Sequence, residues 1–452
     1  MSGPLLAAVP RTAEAPTGRK LFGTDGVRGV AGKQVTAELA LGLARAATAR
    51  VTAAAAHDAP PRVLVIRDTR ESGEMLEAAV AAGIAAAGGE AMLGGILPTP
   101  GAPLLVRRHG FGLAVVLSAS HNPYEDNGIK FFGGDGFKLS DATELEIERM
   151  LEAPPEPARP GRVRRFHGAL DGYEAALQER FGGLDLSGRR LLLDCANGAT
   201  FEAAPAVFRR LGADVDVIAT EPDGRNINAG CGSTHVEALA DAVREGGHDA
   251  GFAFDGDGDR VLAVDRNGVV VDGDELIALA AVHLRVPGVA VTVMTNYGFH
   301  TGMRDAGVEV ATTPVGDRYV LEALRERGWT LGGEQSGHII ECGFVPSGDG
   351  IAAALLTLEA LGGGDLADRQ AMKKLPQRLV NVRVRDRDAV DHAPGVQEAV
   401  ERESAALEGR GRVLLRPSGT EPLVRVMVEA PSEAEADEVS DRLVAAVRAE
   451  LG

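Results

Sequence analysis

The order of the apolar segments most constrains the fold: short strand-like runs alternate with amphipathic helical stretches over most of the 452 residues. Such alternation predicts parallel strands joined by right-handed helical crossovers. It repeats in three blocks, and from Leu379 onward the order changes to strand, helix, two strands and a final helix. The sequence therefore predicts an α/β fold of three α/β domains with mixed, mainly parallel sheets, followed by a smaller C-terminal α+β domain.

Local signals define individual elements. A strand is predicted at 63–66, and a helix at 72–87 with Ser72 as N-cap and Gly88-Gly89 as its end. Asn267-Gly268 predicts a hairpin turn, and Ser432 and Glu435 stand at capping-box spacing. Further strands are predicted at 112–117, 191–194, 215–218, 251–254, 261–264, 269–271 and 289–294, and further helices near 201–211, 276–284 and 349–361.

The domain boundaries follow from changes in composition. Residues 1–18 are rich in alanine and proline without a period, which predicts a disordered extension. Prolines cluster between Glu152 and Arg162, which is typical of an extended connection. The predicted domains are 19–165, 166–270, 271–377 and 378–452.

Charge and cysteine content restrict the partners. The formal net charge of −18 disfavours nonspecific binding to nucleic acid or to an anionic membrane, so a small-molecule partner is expected. Only three cysteines occur, without metal-ligand spacing, which suits a reducing compartment. The start lacks the pattern of a secretion signal and no long apolar segment is present, so a cytoplasmic enzyme is expected.

Ser120 lies just past a predicted buried strand, in the run Leu117-Ser-Ala-Ser-His-Asn-Pro123. Open α/β sheets build their sites at the carboxyl ends of strands, so this serine is a candidate nucleophile. A turn or N-cap serine is the alternative interpretation of the same residues.

Asp255-Gly-Asp-Gly-Asp-Arg260 places three carboxylates at alternate positions directly after a predicted strand. Oxygen ligands favour Mg²⁺ or a similar hard ion, and like charges this close repel one another without a cation. The position twelve residues into the loop is Arg266, so a calcium loop with its bidentate glutamate does not fit. A solvated turn remains the alternative.

Two later loops carry groups suited to a phosphorylated sugar. Gly332 to His338 supplies a carboxylate, an amide, a hydroxyl and an imidazole, although a helix cap with a core histidine would also explain it. Arg416 to Pro422, with Arg425, combines guanidinium groups, hydroxyls and a glycine turn, which is typical of an oxyanion site. An ordinary turn with a surface arginine is the alternative there.

Two weaker segments complete the set. In Leu21 to Gly29, glycines hold Arg28 close to the main chain, and Lys130 follows Ser120 by ten residues. An exposed lysine is the commoner outcome for such a position.

Taken together and in this order, these segments resemble the α-D-phosphohexomutase superfamily, whose four domains each contribute one loop to a central cleft. The motifs that carry the resemblance are Gly-Thr-Asp-Gly-Val-Arg-Gly at 23–29, Ala-Ser-His-Asn-Pro at 119–123, Gly-Glu-Gln-Ser-Gly-His at 333–338 and Arg-Pro-Ser-Gly-Thr-Glu-Pro at 416–422. The match begins near Lys20 and is most similar to the bacterial phosphoglucosamine mutases. Pro417 departs from the pattern, since those enzymes commonly have lysine there, and the extension 1–18 has no counterpart.

The resemblance implies a role for each matched residue. Ser120 is carried as phosphoserine and is both phosphoryl donor and metal ligand. One Mg²⁺ per chain is held by Ser120 and by Asp255, Asp257 and Asp259. The transferring phosphoryl group is surrounded by Lys130, His121, Arg28 and Arg260. The sugar is contacted by Glu334, Ser336, His338 and Arg318. The second phosphate is clamped by Arg416, Ser418, Gly419, Thr420 and Arg425.

The implied reaction converts glucosamine 6-phosphate to glucosamine 1-phosphate through glucosamine 1,6-bisphosphate, feeding amino-sugar nucleotide and cell-wall precursor synthesis. Lys130 is the candidate base, provided that burial or a nearby positive charge lowers its pKa. Reorientation of the bisphosphate implies a hinge near residues 375–380. A hexosamine phosphate is the expected ligand, and a homodimer the expected assembly.

Three other functions remain open from the sequence. A phosphomannomutase or phosphoglucomutase would use the same chemistry on another sugar. In a metal-dependent phosphatase, water would take the phosphoryl group from Ser120. A noncatalytic sugar-phosphate sensor would not need the intact Ser120 and three aspartates.

Overall fold

The computed structural model describes residues 21–54, 59–153, 159–417 and 421–452. The predicted extension 1–18 and Pro154, Pro155 and Pro157 of the predicted connection lie outside these residues. Within the described part, residues 21–293 and 311–369 form one compact unit, and residues 294–310 with 370–452 form a second. Among these residues no helix has the length and hydropathy needed to cross a membrane.

The first sheet of the larger unit has six strands in the order β1-β5-β4-β2-β3-β6. The pairs β2–β3, β2–β4 and β3–β6 are parallel, whereas β1 and β4 both pair antiparallel with β5. The strands are β1 (Val27–Val30), β2 (Arg62–Arg67), β3 (Glu90–Ile96), β4 (Leu113–Leu117), β5 (Asp126–Gly133) and β6 (Arg162–Arg165). The helices are α1 (Ala37–Ala54), α2 (Gly73–Ala86), α3 (Gly101–His109) and α4 (Asp141–Glu152).

The second sheet has the order β11-β10-β9-β7-β8, with β7 parallel to β8 and β9. Its second half is antiparallel, because β9, β10 and β11 follow one another through short turns. The strands are β7 (Arg190–Asp194), β8 (Asp214–Ile218), β9 (Ala250–Phe254), β10 (Val261–Asp265) and β11 (Val270–Val271). The helices are α5 (Ala169–Phe181), α6 (Ala203–Arg210) and α7 (Glu237–Gly246).

The third sheet has the order β13-β12-β14-β15, with β12 parallel to β14 and β14 antiparallel to β15. The strands are β12 (Gly288–Thr292), β13 (Glu309–Thr313), β14 (Leu331–Gly333) and β15 (Ile339–Glu341). The helices of this part of the chain are α8 (Gly273–Leu284), α9 (Tyr297–Asp305), α10 (Asp317–Arg327) and α11 (Gly350–Leu361), with a 3₁₀ turn at Leu366–Asp368.

The smaller unit contains the fourth sheet, which is antiparallel in the order β16-β18-β17, and α9. Its core packs the inner face of β18 against α12 and α13, and includes Val424, Val426 and Leu443. The elements are β16 (Gln377–Arg383), a 3₁₀ helix at Asp388–His392, α12 (Pro394–Ala406), β17 (Arg412–Pro417), β18 (Leu423–Glu429) and α13 (Glu433–Leu451).

The predicted fold class is confirmed: three mixed α/β sheets are followed by an antiparallel α+β sheet. The predicted Asn267-Gly268 turn joins β10 to β11, and Gly268 has the positive φ of 79° that such turns require. Ser432 caps α13 because its hydroxyl accepts from the Glu435 main-chain amide at 3.3 Å. Ser72 stands at the start of α2, but its hydroxyl accepts from the Asn127 amide at 2.8 Å and makes no cap hydrogen bond.

Candidate active site

Ser120 follows β4, whose five residues are all buried, so the strand positions the serine at the carboxyl edge of the first sheet. The side chain is fully buried, and its Oγ donates to Oδ2 of Asp255 at 2.6 Å. The Nδ1 atom of His121 lies 3.4 Å from Oγ of Ser120. Ser120 has a φ of 54°, in the left-handed region that costs a non-glycine residue energy.

Asp255, Asp257 and Asp259 follow the buried strand β9 and offer carboxylate oxygens within 4.8 Å of one another. All three are buried, and Oδ1 of Asp257 and Oδ1 of Asp259 make no hydrogen bond with the described residues. Burial, and then the charges of Asp259 and Asp257, raise the pKa of Asp255 well above its ordinary value. Buried carboxylate oxygens without a hydrogen bond and an all-oxygen donor set fit a hard divalent cation.

Two glycines allow this loop to pack against its surroundings. A Cβ atom on Gly256 would lie 2.7 Å from both the Ser120 carbonyl oxygen and the Asn228 side-chain nitrogen. Gly258 has a positive φ of 71°, and a Cβ there would lie 2.5 Å from the methyl group of Thr200. The alternation of aspartate and glycine is therefore required by space as well as by backbone conformation.

Lys130 lies on β5, opposite Val116 of β4, and is buried. Its Nζ atom is 2.8 Å from Oδ2 of Asp257, 3.0 Å from Oδ2 of Asp25 and 3.7 Å from Oδ2 of Asp259. Burial alone would lower the pKa of Lys130, but these three carboxylates outweigh it and raise that pKa above its ordinary value. Without a cation on the aspartates, Lys130 is therefore held charged.

Arg28, Arg260 and His121 bring basic groups to the same loops. Arg28 is ion-paired with Asp25, and NH1 of Arg260 lies 2.9 Å from Nδ1 of His121. Burial, followed by the charges of Arg260 and Arg28, lowers the pKa of His121 to about 4. His121 is therefore neutral near pH 7, and its Nδ1 accepts a hydrogen bond from Arg260.

The loop after β14 also reaches the aspartates. Nδ1 of His338 lies 3.6 Å from Oδ1 of Asp259, and its Nε2 accepts from the Gly348 amide at 3.1 Å. Burial opposes the charged form of this ring, but the charge of Asp259 outweighs burial and raises the pKa of His338. Glu334 accepts from the Gly316 amide at 3.0 Å, and Ser336 is exposed.

Arg318 points elsewhere. Its NH2 donates to Glu144 of α4 at 3.0 and 3.1 Å and to the Leu139 carbonyl at 3.4 Å, and its NH1 is ion-paired with Asp141. The structure therefore places the guanidinium group of Arg318, a residue of α10, against the first turn of α4, and its contact with a sugar stays a prediction.

The loop that the sequence predicts to bind phosphate lies in the smaller unit. Arg416 of β17 and Arg425 of β18 stand directly opposite each other in the antiparallel pair. Burial, and then the charge of Arg425, lowers the pKa of Arg416. Two guanidinium groups at one cross-strand position repel each other unless an anion lies between them, which suits a phosphate. Ser418, Gly419 and Thr420 lie outside the described residues.

Sequence reasoning missed three charged residues of this site. Asp25 contacts Lys130, and it is also ion-paired with Lys138, which in turn lies 2.5 Å from Asp317. Burial opposes the ionised form of Asp25, but Lys130, Lys138 and Arg28 together lower its pKa well below the ordinary value. Asp25 and Asp317 each stand within three residues of a predicted site arginine, Arg28 or Arg318, and this proximity is the sequence signal for them; Lys138 has no such signal.

Family models match most of the chain. The phosphoglucomutase/phosphomannomutase alpha/beta/alpha domains I, II and III match residues 19–157, 171–268 and 272–380, and the C-terminal domain of the same family matches 379–446. A phosphoglucosamine mutase of Desulforudis audaxviator is 49% identical over 447 residues, which cover 94% of this chain and 97% of that protein. One of Listeria monocytogenes is 46% identical, covering 96% and 99%.

Solved structures share the fold. A phosphoglucomutase/phosphomannomutase family protein of Burkholderia thailandensis superposes with a TM-score of 0.80 at 24% identity, covering 94% of this chain and 97% of that one. The N-acetylphosphoglucosamine mutase of Aspergillus fumigatus, solved in complex with GlcNAc-6P and magnesium, has a TM-score of 0.66 at 19% identity, with 96% of each chain covered.

Proposed function

Because the chain belongs to the phosphoglucosamine mutases of the α-D-phosphohexomutase superfamily, we propose that its Ser120 site interconverts glucosamine 6-phosphate and glucosamine 1-phosphate. One observation carries this proposal: the Ser120 hydroxyl lies 2.6 Å from a carboxylate of a buried group of three aspartates that fits a cation. A nucleophile beside such a group is what phosphoryl transfer requires.

The reaction consists of two successive phosphoryl transfers. In the first, the bond from phosphorus to Oγ of phosphorylated Ser120 breaks as a bond from phosphorus to O1 of the sugar forms, which gives the 1,6-bisphosphate. In the second, the bisphosphate has turned over, and Oγ of Ser120 takes the phosphoryl group from O6. The proton of the attacking hydroxyl leaves in each transfer and ends on the oxygen that is released.

The residues around Ser120 are proposed to have separate roles in the phosphoryl transfer. A divalent cation held by Ser120 and the three aspartates would neutralise charge on the transferring phosphoryl group. Lys130 is the proposed proton carrier, and its raised pKa implies that it gives up a proton only when the carboxylates beside it are neutralised. Arg28 and Arg260 supply further positive charge, while the neutral ring of His121 lies 3.4 Å from Oγ.

The residues that bind the sugar phosphate are proposed from the functional groups that they offer. Glu334, Ser336 and His338 are proposed to bind the sugar hydroxyls and amine, since they offer a carboxylate, a hydroxyl and an imidazole within five residues. The opposed guanidinium groups of Arg416 and Arg425 are proposed to hold the phosphate that does not react.

The remaining details are proposals of the same kind. We assign one Mg²⁺ per chain, a hexosamine phosphate as ligand, a homodimer, a cytoplasmic location and the bisphosphate as activator. The domains are assigned to 19–165, 166–270, 271–377 and 378–452, with a hinge near 375–380.

Intact-mass measurement tests the donor role directly. The purified protein should carry one phosphate group, and glucosamine phosphate should remove it and yield the bisphosphate in a single turnover. Ser120→Ala should lack both the adduct and the activity, whereas Ser187→Ala, an exposed serine, should keep both. A Ser120→Ala variant as active as the wild type would refute the proposal.

Turnover of glucosamine, glucose and mannose 6-phosphates compares the candidate sugars. A preference for glucose or mannose would replace the proposed substrate with that of a phosphoglucomutase or phosphomannomutase. Free phosphate released at the rate of substrate loss would indicate a phosphatase instead.

A further inference from the structure

The backbone around Ser120 is held by one buried arginine. Arg70, just past the end of β2, is fully buried, and each of its five guanidinium N–H groups donates a hydrogen bond. Four of these bonds go to main-chain carbonyl oxygens: Ser120 at 2.8 Å, Asn122 at 2.9 Å, Asp126 at 3.0 Å, and Pro123. The fifth goes to Oδ2 of the Asp68 carboxylate at 2.8 Å. Because its donors lie in one plane, a guanidinium can bind several carbonyls of one loop, whereas a lysine has three donors on one atom.

Asp68 holds the other main-chain polar group of Ser120, its N–H, through the hydroxyl of Ser118. Its Oδ2 accepts from Oγ of Ser118 at 2.6 Å, and that hydroxyl oxygen accepts from the Ser120 amide at 2.9 Å. Oδ1 of Asp68 accepts from the Arg70 amide at 3.0 Å, so the carboxylate and the guanidinium form one rigid pair. Both main-chain polar groups of Ser120 are therefore fixed by residues that follow β2.

This network acts on a strained residue. The φ of 54° at Ser120 is unfavourable for a side chain with a Cβ, and such conformations persist only when their surroundings hold them. Asn228 adds a hydrogen bond from its side-chain amide to the Ser120 carbonyl at 3.0 Å, from the second domain. The strained backbone is the one that directs Oγ to Asp255 at 2.6 Å.

We propose that Arg70 and Asp68 are positioning residues that hold the backbone of Ser120 in its left-handed conformation, so that Oγ keeps its place as the phosphoryl group leaves and returns. This inference rests on the proposed function. Neither residue bonds to Oγ of Ser120, and both act through its peptide groups. Their loss should therefore lower the rate of transfer and leave ground-state binding of the sugar phosphate nearly unchanged.

The test compares steady-state kinetics and melting temperatures of four variants with those of the wild type. Arg70→Lys keeps the charge but cannot reach four carbonyls, and Ser118→Ala removes only the bridge between Asp68 and the Ser120 amide. Ser120→Ala marks the loss of the nucleophile. The control is Arg369→Lys, because Arg369 is similarly paired with Asp265 at 3.1 Å and Glu275 at 2.7 Å, away from the serine loop.

We expect kcat to fall about 100-fold in Arg70→Lys, as for a misplacement of about 1 Å, and about tenfold in Ser118→Ala, with KM within about threefold in both. Arg369→Lys should lower the melting temperature and keep kcat. A folded Arg70→Lys enzyme with kcat near the wild-type value would overturn the inference, as would a parallel rise in KM. Should Arg70→Lys fail to fold, an unchanged kcat in Ser118→Ala would overturn it.

Failure of the proposed function gives a different result. A wild-type protein without mutase activity would refute that function alone. Crystal structures of the folded variants would then decide the positioning role: Oγ of residue 120 displaced from Asp255 supports it, and Oγ still within hydrogen-bond distance of Asp255 overturns it.

Discussion

Replacing Asp349 by asparagine should make the protein more stable at high pH. Asp349 precedes α11, accepts from the Ala352 amide at 2.9 Å and accepts from the hydroxyl of Tyr173 at 2.9 and 3.0 Å. It is 2% exposed, and burial raises the pKa of its carboxyl from 3.8 to about 7. Among the residues that the structure describes, no cationic side chain contributes to that shift, so the folded protein disfavours the charged form of this carboxyl.

The sign follows from proton linkage. Below pH 3.8 the carboxyl is protonated in both states, so ionisation contributes nothing to stability. Between pH 3.8 and 7 it ionises only in the unfolded chain, so the free energy of unfolding falls as the pH rises. The full loss, reached above pH 7, is about 4 kcal/mol, and between pH 5 and 8 it is about 2.5 kcal/mol. Asparagine does not ionise and escapes this loss.

Urea denaturation followed by tryptophan fluorescence measures the free energy of unfolding in the part of the chain that contains Asp349. Trp329 is the one tryptophan of the chain and packs against the core of the third sheet, the same part of the chain as α11. The free energy of unfolding of Asp349→Asn minus that of the wild type should increase by about 2.5 kcal/mol from pH 5 to 8. Asp349→Ser, which also lacks the carboxyl, should show the same slope at lower stability. A difference that stays flat across this pH range would refute the reasoning.

Three further predictions concern the site. Gly256→Ala should lower kcat about 100-fold, because the added Cβ would lie 2.7 Å from the Ser120 carbonyl oxygen. Gly183→Ala is the control, since Gly183 has open space around it, and it should keep the wild-type kcat. Equal kcat values for the two variants in steady-state kinetics would contradict this prediction. Asp257→Asn should weaken Mg²⁺ binding at least about tenfold in isothermal titration, since it removes the charge of one of the three carboxylates proposed to hold the cation, and unchanged affinity would exclude Asp257 as a ligand. Chelation by EDTA should abolish turnover and added Mg²⁺ should restore it; full activity after chelation would contradict the cation role.

Much of the fold could be predicted from the sequence because its signals are local. The hairpin at Asn267-Gly268 depends on two residues that favour a positive φ, and Ser432 caps α13 through an amide three residues away. Likewise, the polar loops after β4 and β9 could be located because each begins where a buried strand ends. Ser72 shows the limit of such signals, since its hydroxyl accepts from Asn127, which is 55 residues away in the chain.

The charge pairing in the site could not be predicted for the same reason. The sequence predicts Lys130 as a candidate base, but the raised pKa of Lys130 depends on Asp25 and Asp257, which the fold brings within 3.0 Å of its Nζ atom from distant parts of the chain. Arg70 stands in an Asp-Thr-Arg run at the end of a predicted strand, and only tertiary structure reveals that it binds four carbonyls of the Ser120 loop. Pairwise contacts across fifty or more residues leave no periodic pattern to detect.

The charges at the site explain how an acidic protein can bind an anionic ligand. Lys130 belongs to a network of ion pairs among four carboxylates and four cationic side chains: Asp25, Asp257, Asp259 and Asp317 with Arg28, Lys130, Lys138 and Arg260. The buried Asp255 lies beside this network as a fifth carboxylate. Three of these carboxylates lie within 4.8 Å of one another, and burial with the charges of Asp259 and Asp257 raises the pKa of Asp255 well above its ordinary value, so with all three ionised the local charge balance opposes a phosphate at Ser120. A divalent cation on the aspartates would reverse that balance, so cation and phosphorylated ligand should each raise the affinity for the other.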